Sequence, residues 1–477
     1  MLARILTWLK GVTTKMLNAR TDTRISGGAL IAVSSEMAEA IQRWHDEYTG
    51  NAYWLTKNRQ SLQLPAQIAS EIATLVTLEG SVTISGSPRA DWLMEQLQPV
   101  MENLHTNVEY ACAMGGIVMK PYPDDGRIAV DYVHVDDFYP IAFNSRREIT
   151  SAVFVERKRI ADTVYSRVEY HQINGTTCTI TNDCYRGYSE EDLGQQVPLT
   201  EVDEWKDIEP TSTIENMPFP MFSYFRIPLG NTIDPKSPLG VSVFAKAEEN
   251  IKEADFQYQR FLWEFEGGEL AIEASDDLFD LDEKGRPIIP VGKERLYRPN
   301  RLDAASSSQA VYNIFSPELR DNSLINGLNE ILSKIEDKTG LARGTISDRV
   351  REVRTATEIK FSRQRTYATV TAIQSSLGRA IKNLVQAMDA IATLYNLAPA
   401  GEYEVICKWD DSVVTDSETE RVRDMQEVRD GLMKPWEYRV KWYGEDKATA
   451  QRMIQEGEPL TDEELLGFDK TKPKLQE

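Results

Sequence analysis

Metal or nucleophile chemistry needs clustered histidine, cysteine and carboxylate side chains, and this chain offers few such clusters. His171, Cys178 and Cys184 supply three zinc-ligand types, but their spacing matches no standard site, and a strand assignment accounts for them better. Asp280-Leu-Asp282-Glu-Lys284-Gly285 matches the opening of a calcium loop. The bidentate acid such a loop needs at its twelfth position is replaced by Val291, so the match fails there. Asp136-Asp137 and Asp410-Asp411 could contribute to a nuclease metal site, yet neither pair has a third acid or a lysine in a known arrangement. There is no phosphate loop, dinucleotide fingerprint, zinc-protease helix or nucleophile elbow. The histidines, His45, His105, His134 and His171, are dispersed, and none pairs with a cysteine or serine. The reading is a non-enzyme with no catalytic residue, no metal and no cofactor. A nucleic-acid-modifying enzyme with an unfamiliar site stays open as one alternative.

Charge carries more information. The 477 residues hold 54 basic and 75 acidic side chains, a net charge of -21. That excludes a simple DNA-coating protein, which would be basic. It leaves room for a protein that handles DNA without gripping it. The length suggests about three domains. Cys112, Cys178, Cys184 and Cys407 are too few and too scattered for a disulfide framework, which points to free thiols in a reducing compartment. No apolar run reaches the ~20 residues of a membrane span. In Met1–Leu17, Leu2, Ile5, Leu6, Leu9, Val12 and Met16 share one helical side among Arg4, Lys10 and Lys15. With no small-residue cleavage site after it, this reads as a docking arm or a membrane-surface helix rather than a signal peptide.

These charges must be positioned by long elements, and one dominates. From Thr357 to Leu397, Val370, Ile373, Leu377, Ile381, Leu384, Met388, Ile391 and Tyr395 recur every three or four residues. That is one stripe of a helix about 60 Å long. Gly378 sits inside it, so Ser375–Gly378 is the expected place for a bend.

Upstream, helices are expected over 35–48, 65–78 and 88–114, then a β-rich stretch over 115–208. Asp124-Asp125-Gly126 and Asn174-Gly175 mark turns, the second a strong hairpin signal. Prolines make 209–236 irregular. Ser237-Pro238 should start a helix running to Glu266. Its apolar residues lie on two sides, Phe244 to Phe265 on one and Phe256 and Trp263 on the other. Two apolar sides imply two neighbours, either other subunits or other elements of the same chain. An insert over 269–316 has strand candidates at 269–274, 287–291 and 310–315 and a charged tip, Asp276–Arg286. The helix after it, 317–339, should return antiparallel. Residues 341–356 (LARGTISDRVREVRTA) carry Arg343, Arg349, Arg351 and Arg354 and join that helix to the long one. A strand over 403–409 and three short helices close the chain.

This order of parts resembles a portal protein of a tailed double-stranded DNA bacteriophage, of the long-tailed type found in Gram-positive hosts. The resemblance rests on YACAMGGIVMKPY (110–122) with VDYVHVDDFYPIAF (130–143), and on SPLGVSVFAKAEENIKEADFQYQRFLWEFEGG (237–268). It rests equally on TGLARGTISDRVREVRTATEIKFSRQRTYATV (339–370) and VRDGLMKPWEYRVKWYGEDKATAQRMIQE (428–456). It implies an α+β, mainly helical portal fold with an antiparallel β-rich wing. The divisions would be an N-terminal arm (1–34), wing (35–236), stem helix (237–268), clip (269–316), second stem helix (317–340) and tunnel loop (341–356). The long wing helix (357–398) and a wing strand with a helical crown (399–477) would follow.

The resemblance further implies a homo-oligomeric ring, usually dodecameric, at one capsid vertex of the virion, assembled in the host cytoplasm. Double-stranded DNA would pass through it non-specifically during packaging and ejection. Its partners would be the terminase large subunit, a head-completion or adaptor protein, and the capsid and scaffolding proteins. By carry-over of the tunnel-loop position, Arg343, Arg349, Arg351 and Arg354 would steady the DNA, or else pair with Asp348 and Glu352 between subunits. Asp276, Asp277, Asp280, Asp282, Lys284 and Arg286 would form the clip docking surface. DNA carries a charge about every 1.7 Å, so a conduit should repel it weakly on all sides rather than bind it. Glu248, Glu249, Glu253 and Asp255 are candidates for that lining, or they face a neighbouring subunit. A capsid or scaffold-associated subunit without a channel is the other alternative.

Overall fold

The structure, a computed structural model, describes residues 32–56, 60–78, 80–189, 193–275, 279–280, 286, 288, 296–300, 312–348, 356–409 and 417–456. Helices form where the 3.6-residue period meets a usable cap. α1 (Ser35–Tyr48) begins at Ser34, whose hydroxyl accepts from the Met37 amide, and it buries Met37, Ile41 and Trp44. α2 (Leu64–Thr77) has Pro65 in its first turn and buries Ile68, Ile72 and Val76. β1 (Gly80–Ser85) follows. The single helix expected over 88–114 is two, α3 (Pro88–Glu102) and α4 (Leu104–Met114). Pro99 removes a backbone donor near the end of α3, and Asn103 leaves helical geometry.

The β-rich stretch is as expected in kind and richer in number. It runs β2 (Gly116–Asp124), β3 (Arg127–His134), β4 (Phe138–Phe143), β5 (Ile149–Ile160), β6 (Thr163–Asn174) and β7 (Thr177–Gly187). β8 (Gln195–Val197), β9 (Thr211–Ile214) and β10 (Ser223–Arg226) come after these, the last two inside the proline-rich segment. β4-β5-β6-β7-β8 form one antiparallel sheet with β9 also on β7, and β10-β2-β3 form a second. Asp125 and Gly126 both take positive φ (42° and 78°) between β2 and β3, as a two-residue type I′ hairpin requires.

The helix expected from Ser237 starts later than the sequence predicts. α5 spans Glu248–Gly267, and residues 237–247 form turns instead. Those turns are tied to the end of α4: the Val243 amide donates to the Cys112 carbonyl (3.0 Å), and Gly240 lies against Gly115. A Cβ on Gly240 would sit 2.1 Å from the Gly115 oxygen, so backbone packing prevails over the Ser-Pro helix signal. The insert holds β11 (Ala271–Ser275), β12 (Tyr297–Asn300) and β13 (Tyr312–Phe315), with β11-β12 parallel and β11-β13 antiparallel. Of the strand expected over 287–291, only Ile288 is among the described residues, and it is in no strand.

α6 (Asp321–Thr339) follows, and Gly340 ends it with φ 83°. α7 (Ala356–Leu394) is the long helix, and β14 (Glu404–Trp409) pairs antiparallel with β1. α7 runs through the main core and buries Val370, Ile373, Leu377, Ile381, Leu384, Met388 and Ile391. The last member of the predicted stripe, Tyr395, is past the helix end and 59% exposed. Helical structure is unbroken across Ser375–Gly378, and Gly378 faces Cys407 and Trp409 of β14. Three side-chain bonds fix α7 to its surroundings: Ser376 hydroxyl to Arg226 carbonyl (2.6 Å), Ser223 hydroxyl to Ala380 carbonyl (2.6 Å) and Gln374 amide to Val76 carbonyl (3.2 Å).

Arg89 of α3 clasps the last turns of α7 and the chain just beyond it. It is 1% exposed and donates to the Asp389 carboxylate and carbonyl (2.7 Å each), Thr393 Oγ1 (2.5 Å) and the Ala398 carbonyl (2.8 Å).

Residues 1–409 and 410–477 are two compact units. The second contains α8 (Ser417–Arg429), α9 (Pro435–Tyr443) and α10 (Lys447–Glu456), close to the three helices expected. Within it Asp424 accepts from Lys441 Nζ (2.6 Å) and Trp442 Nε1 (2.8 Å). Among the described residues, no helix is long and apolar enough to cross a membrane.

Candidate functional site

α5 and α6 form an antiparallel hairpin with the insert at its far end. Lys338 donates to Asn250 Oδ1, Gln257 donates to the Leu324 carbonyl (3.2 Å), and Arg320 clasps Glu264 (3.0 and 2.7 Å). Arg320, by hydrogen bond first and charge second, holds the Glu264 carboxyl down at about 2. Near the insert, aromatic rings remain uncovered: Trp263 is 61% and Phe265 42% exposed.

At the other end of the hairpin lies the root of the loop between α6 and α7. Two adjacent acids in the last turn of α6 divide the work. Glu336 is fully buried and accepts from the amides of Gly344 (3.0 and 3.1 Å), Ile346 (2.8 Å) and Ser347 (3.0 Å), and from the Ser347 hydroxyl (2.8 Å). Asp337 faces outward and accepts from Arg343 (2.6 Å) and from Arg365 of α7 (3.1 Å). The Arg343 hydrogen bond is the first cause holding the Asp337 carboxyl below its usual range. Thr366 Oγ1 of α7 donates to the Gly340 carbonyl (3.1 Å), so the same turn is also tied to α7.

The residues singled out from sequence divide unevenly. Arg343 is at the loop root, paired with Asp337; Arg349, Arg351 and Arg354 lie outside the described residues. Of the acids assigned to a channel lining, two have partners within their own chain. Asp255 is 3% exposed and accepts from Trp54 Nε1 and the Leu62 amide (2.8 Å each). Glu248 accepts from Trp44 Nε1 (2.6 Å) and pairs with Arg43 (3.6 Å). Both side chains are turned into their own chain, and burial raises both carboxyls. Glu249 and Glu253 are exposed. In the insert, Asp280 and Arg286 are exposed, whereas Asp276, Asp277, Asp282 and Lys284 lie outside the described residues.

Sequence reasoning missed Glu336, Asp337 and Arg365. The signal was present: on the α6 stripe Leu332, Ile335 and Thr339 are buried, and Glu336 occupies a position where the period asks for an apolar side chain.

A second charged cluster lies in the antiparallel sheets. Glu169 on β6 is met by Lys120 Nζ (2.8 Å), Arg167 (3.1 Å) and His171 Nε2 (2.7 Å) beside a cleft of about 230 Å3. Burial alone would raise its carboxyl, but Lys120, His171 and Arg167 together hold it well below the usual range. His171 is thus bound to a carboxylate rather than set for zinc. Cys178 and Cys184 are buried thiols, and among the described residues no group of His, Cys, Asp or Glu could hold a metal ion. Asp137 pairs with Arg157 (2.8 Å); Asp410 and Asp411 lie outside the described residues.

No curated protein matches the sequence. Residues 31–458 match the family described as phage portal protein, SPP1 Gp6-like. That span takes in the hairpin, the loop root and the long helix alike, and on it the chain belongs to the SPP1 Gp6-like phage portal proteins.

Proposed function

We propose that this chain assembles into a ring at one capsid vertex, through which double-stranded DNA is packaged and later ejected. The α5–α6 hairpin serves as stem, 268–320 as clip, 341–355 as tunnel loop, residues 32–247 with α7 and β14 as wing, and α8–α10 as crown. The observation that carries the reading is the hairpin. Its far end leaves Trp263 and Phe265 uncovered within the subunit, and its near end anchors a loop whose undescribed part carries Arg349, Arg351 and Arg354. A neighbouring copy would cover the rings, because large apolar groups left open on a charged helix call for a partner. The charge of -21, repeated around a ring, disfavours tight DNA binding, and Glu249 and Glu253 remain available for the lining.

The reading also gives the ring its partners: terminase and a head-completion protein at the clip, capsid and scaffolding proteins at the wing. Electron microscopy of the purified protein is expected to give hollow rings; monomers or closed shells would overturn the proposal. In assembled rings, Arg349→Ala with Arg351→Ala should lower packaged DNA without changing ring number. Reversing Asp276, Asp277 and Asp280 should weaken terminase or adaptor binding, and unchanged binding would return those acids to plain solvation.

A further inference from the structure

We infer that Glu336 is the positioning residue of the loop between α6 and α7: its carboxylate sets where and in what direction the arginine-bearing segment leaves the hairpin. The inference rests on the proposed DNA-facing role of that loop.

The end of a helix is a poor place for acids, because its free carbonyls carry partial negative charge. α6 nevertheless ends with Glu336 and Asp337 side by side, one of them fully buried. Such an arrangement persists only where specific donors offset it. For Glu336 those donors are backbone amides. Gly344 takes φ 89°, a left-handed conformation, and the amides of Gly344, Ile346 and Ser347 converge on the carboxylate. Successive amides turned inward this way make an anion-binding concavity. Here the anion is the chain's own side chain. The Ser347 hydroxyl completes the shell at 2.8 Å, and the Asp348 amide donates to Asn329 of α6 at 3.3 Å.

The placement matters because of what comes next in sequence. Arg349 directly follows the last residue held to α6. On the far side, Arg365 and Thr366 tie α7 to Asp337 and Gly340. The turn from which the chain departs after Asp348 is thus held from inside by Glu336 and from outside by α7. Asp337 does not substitute for it, since its partners are exposed arginine side chains rather than the loop backbone.

The test is amide hydrogen exchange on assembled rings of the full chain, with packaged DNA as second readout. Glu336→Gln keeps the shape and removes the charge. It should accelerate exchange at Gly344, Ile346 and Ser347 by at least about tenfold and lower packaged DNA, with ring number unchanged. Ser347→Ala removes one of the bonds and should give a smaller change in the same amides. Unchanged exchange in both variants would overturn the positioning role. So would faster exchange with normal packaging. Loss of rings in both variants would make Glu336 a stability residue and overturn it too. Failure of the underlying reading looks different: the Arg349→Ala, Arg351→Ala protein would then package normally whatever Glu336→Gln does.

Discussion

α7 and the α5–α6 hairpin are both long, charged and striped with apolar residues, yet they are finished differently. α7 buries its stripe from Val370 to Ile391 against β2, β3, β10, β14 and the early helices of its own chain. α6 buries only Leu332, Ile335, Glu336 and Thr339, all in its second half. α5 buries Ile251, Ala254 and Asp255 near its start and then only Glu264. The hairpin is thus packed where it joins the main core and open where it meets the insert. A stripe completed inside the subunit contributes to its stability; one left open contributes only once a neighbour arrives.

That contrast can be broken by substitution. Leu384→Ala, in the fully buried part of α7, should lower subunit stability by about 3 kcal/mol, read by denaturant or thermal unfolding. Trp263→Ala should cost the isolated subunit under about 1 kcal/mol and yet reduce ring yield several-fold, seen by native mass measurement. Equal unfolding losses in the two variants would erase the distinction.

Arg89→Ala removes a buried clasp on the end of α7 and takes that donor from the Asp389 carboxylate and the Ala398 carbonyl, for an expected loss of about 3 kcal/mol. Arg320→Ala, which frees a clasp on the exposed hairpin, should change subunit unfolding far less. The comparison is sharpened if the two arginines differ as stated and blunted if they do not.

A pH-dependent effect concerns Glu47 on α1, 3% exposed with Oε2 lacking a hydrogen-bond partner. Burial, then the charge of Glu248, pushes its carboxyl up to about 9. Between 4.5 and 9 the folded state holds a proton that the unfolded state has lost, so this group's contribution to stability declines as pH rises through that window. Glu47→Gln should add about 2 kcal/mol at pH 8 and flatten the slope of stability between pH 5 and 9. An unaltered slope would show that Glu47 is ionised in the fold.

Local periodicity was legible: Ser34 and Pro65 start α1 and α2, the Val370–Ile391 stripe is α7, and the hairpin signalled at Asn174-Gly175 joins β6 to β7, with its turn one residue on at Gly175-Thr176. What depended on distant partners was not. Ser237-Pro238 reads as a helix start, but packing of Gly240 on Gly115 decides the segment. Glu248 and Asp255 look like free acids until the indoles of Trp44 and Trp54 reach them from about 200 residues earlier. At the site, the arginines of the loop could be seen in sequence, whereas the buried acid that shapes its root could not be told from an ordinary helix glutamate.

The pairing of β1 with β14 has a consequence in time rather than space. Ser81 and Val82 wait for Lys408 and Cys407, more than 300 residues later in synthesis. Contacts so far apart in sequence close late in folding. A nascent chain therefore carries an unpaired strand, and the Gly378 side of α7 stays uncovered, until β14 has left the ribosome. We predict that chains ending at residue 403 will resist incorporation into rings made with the full-length protein. Efficient co-assembly of such fragments would show that closure of this strand pair does not gate assembly.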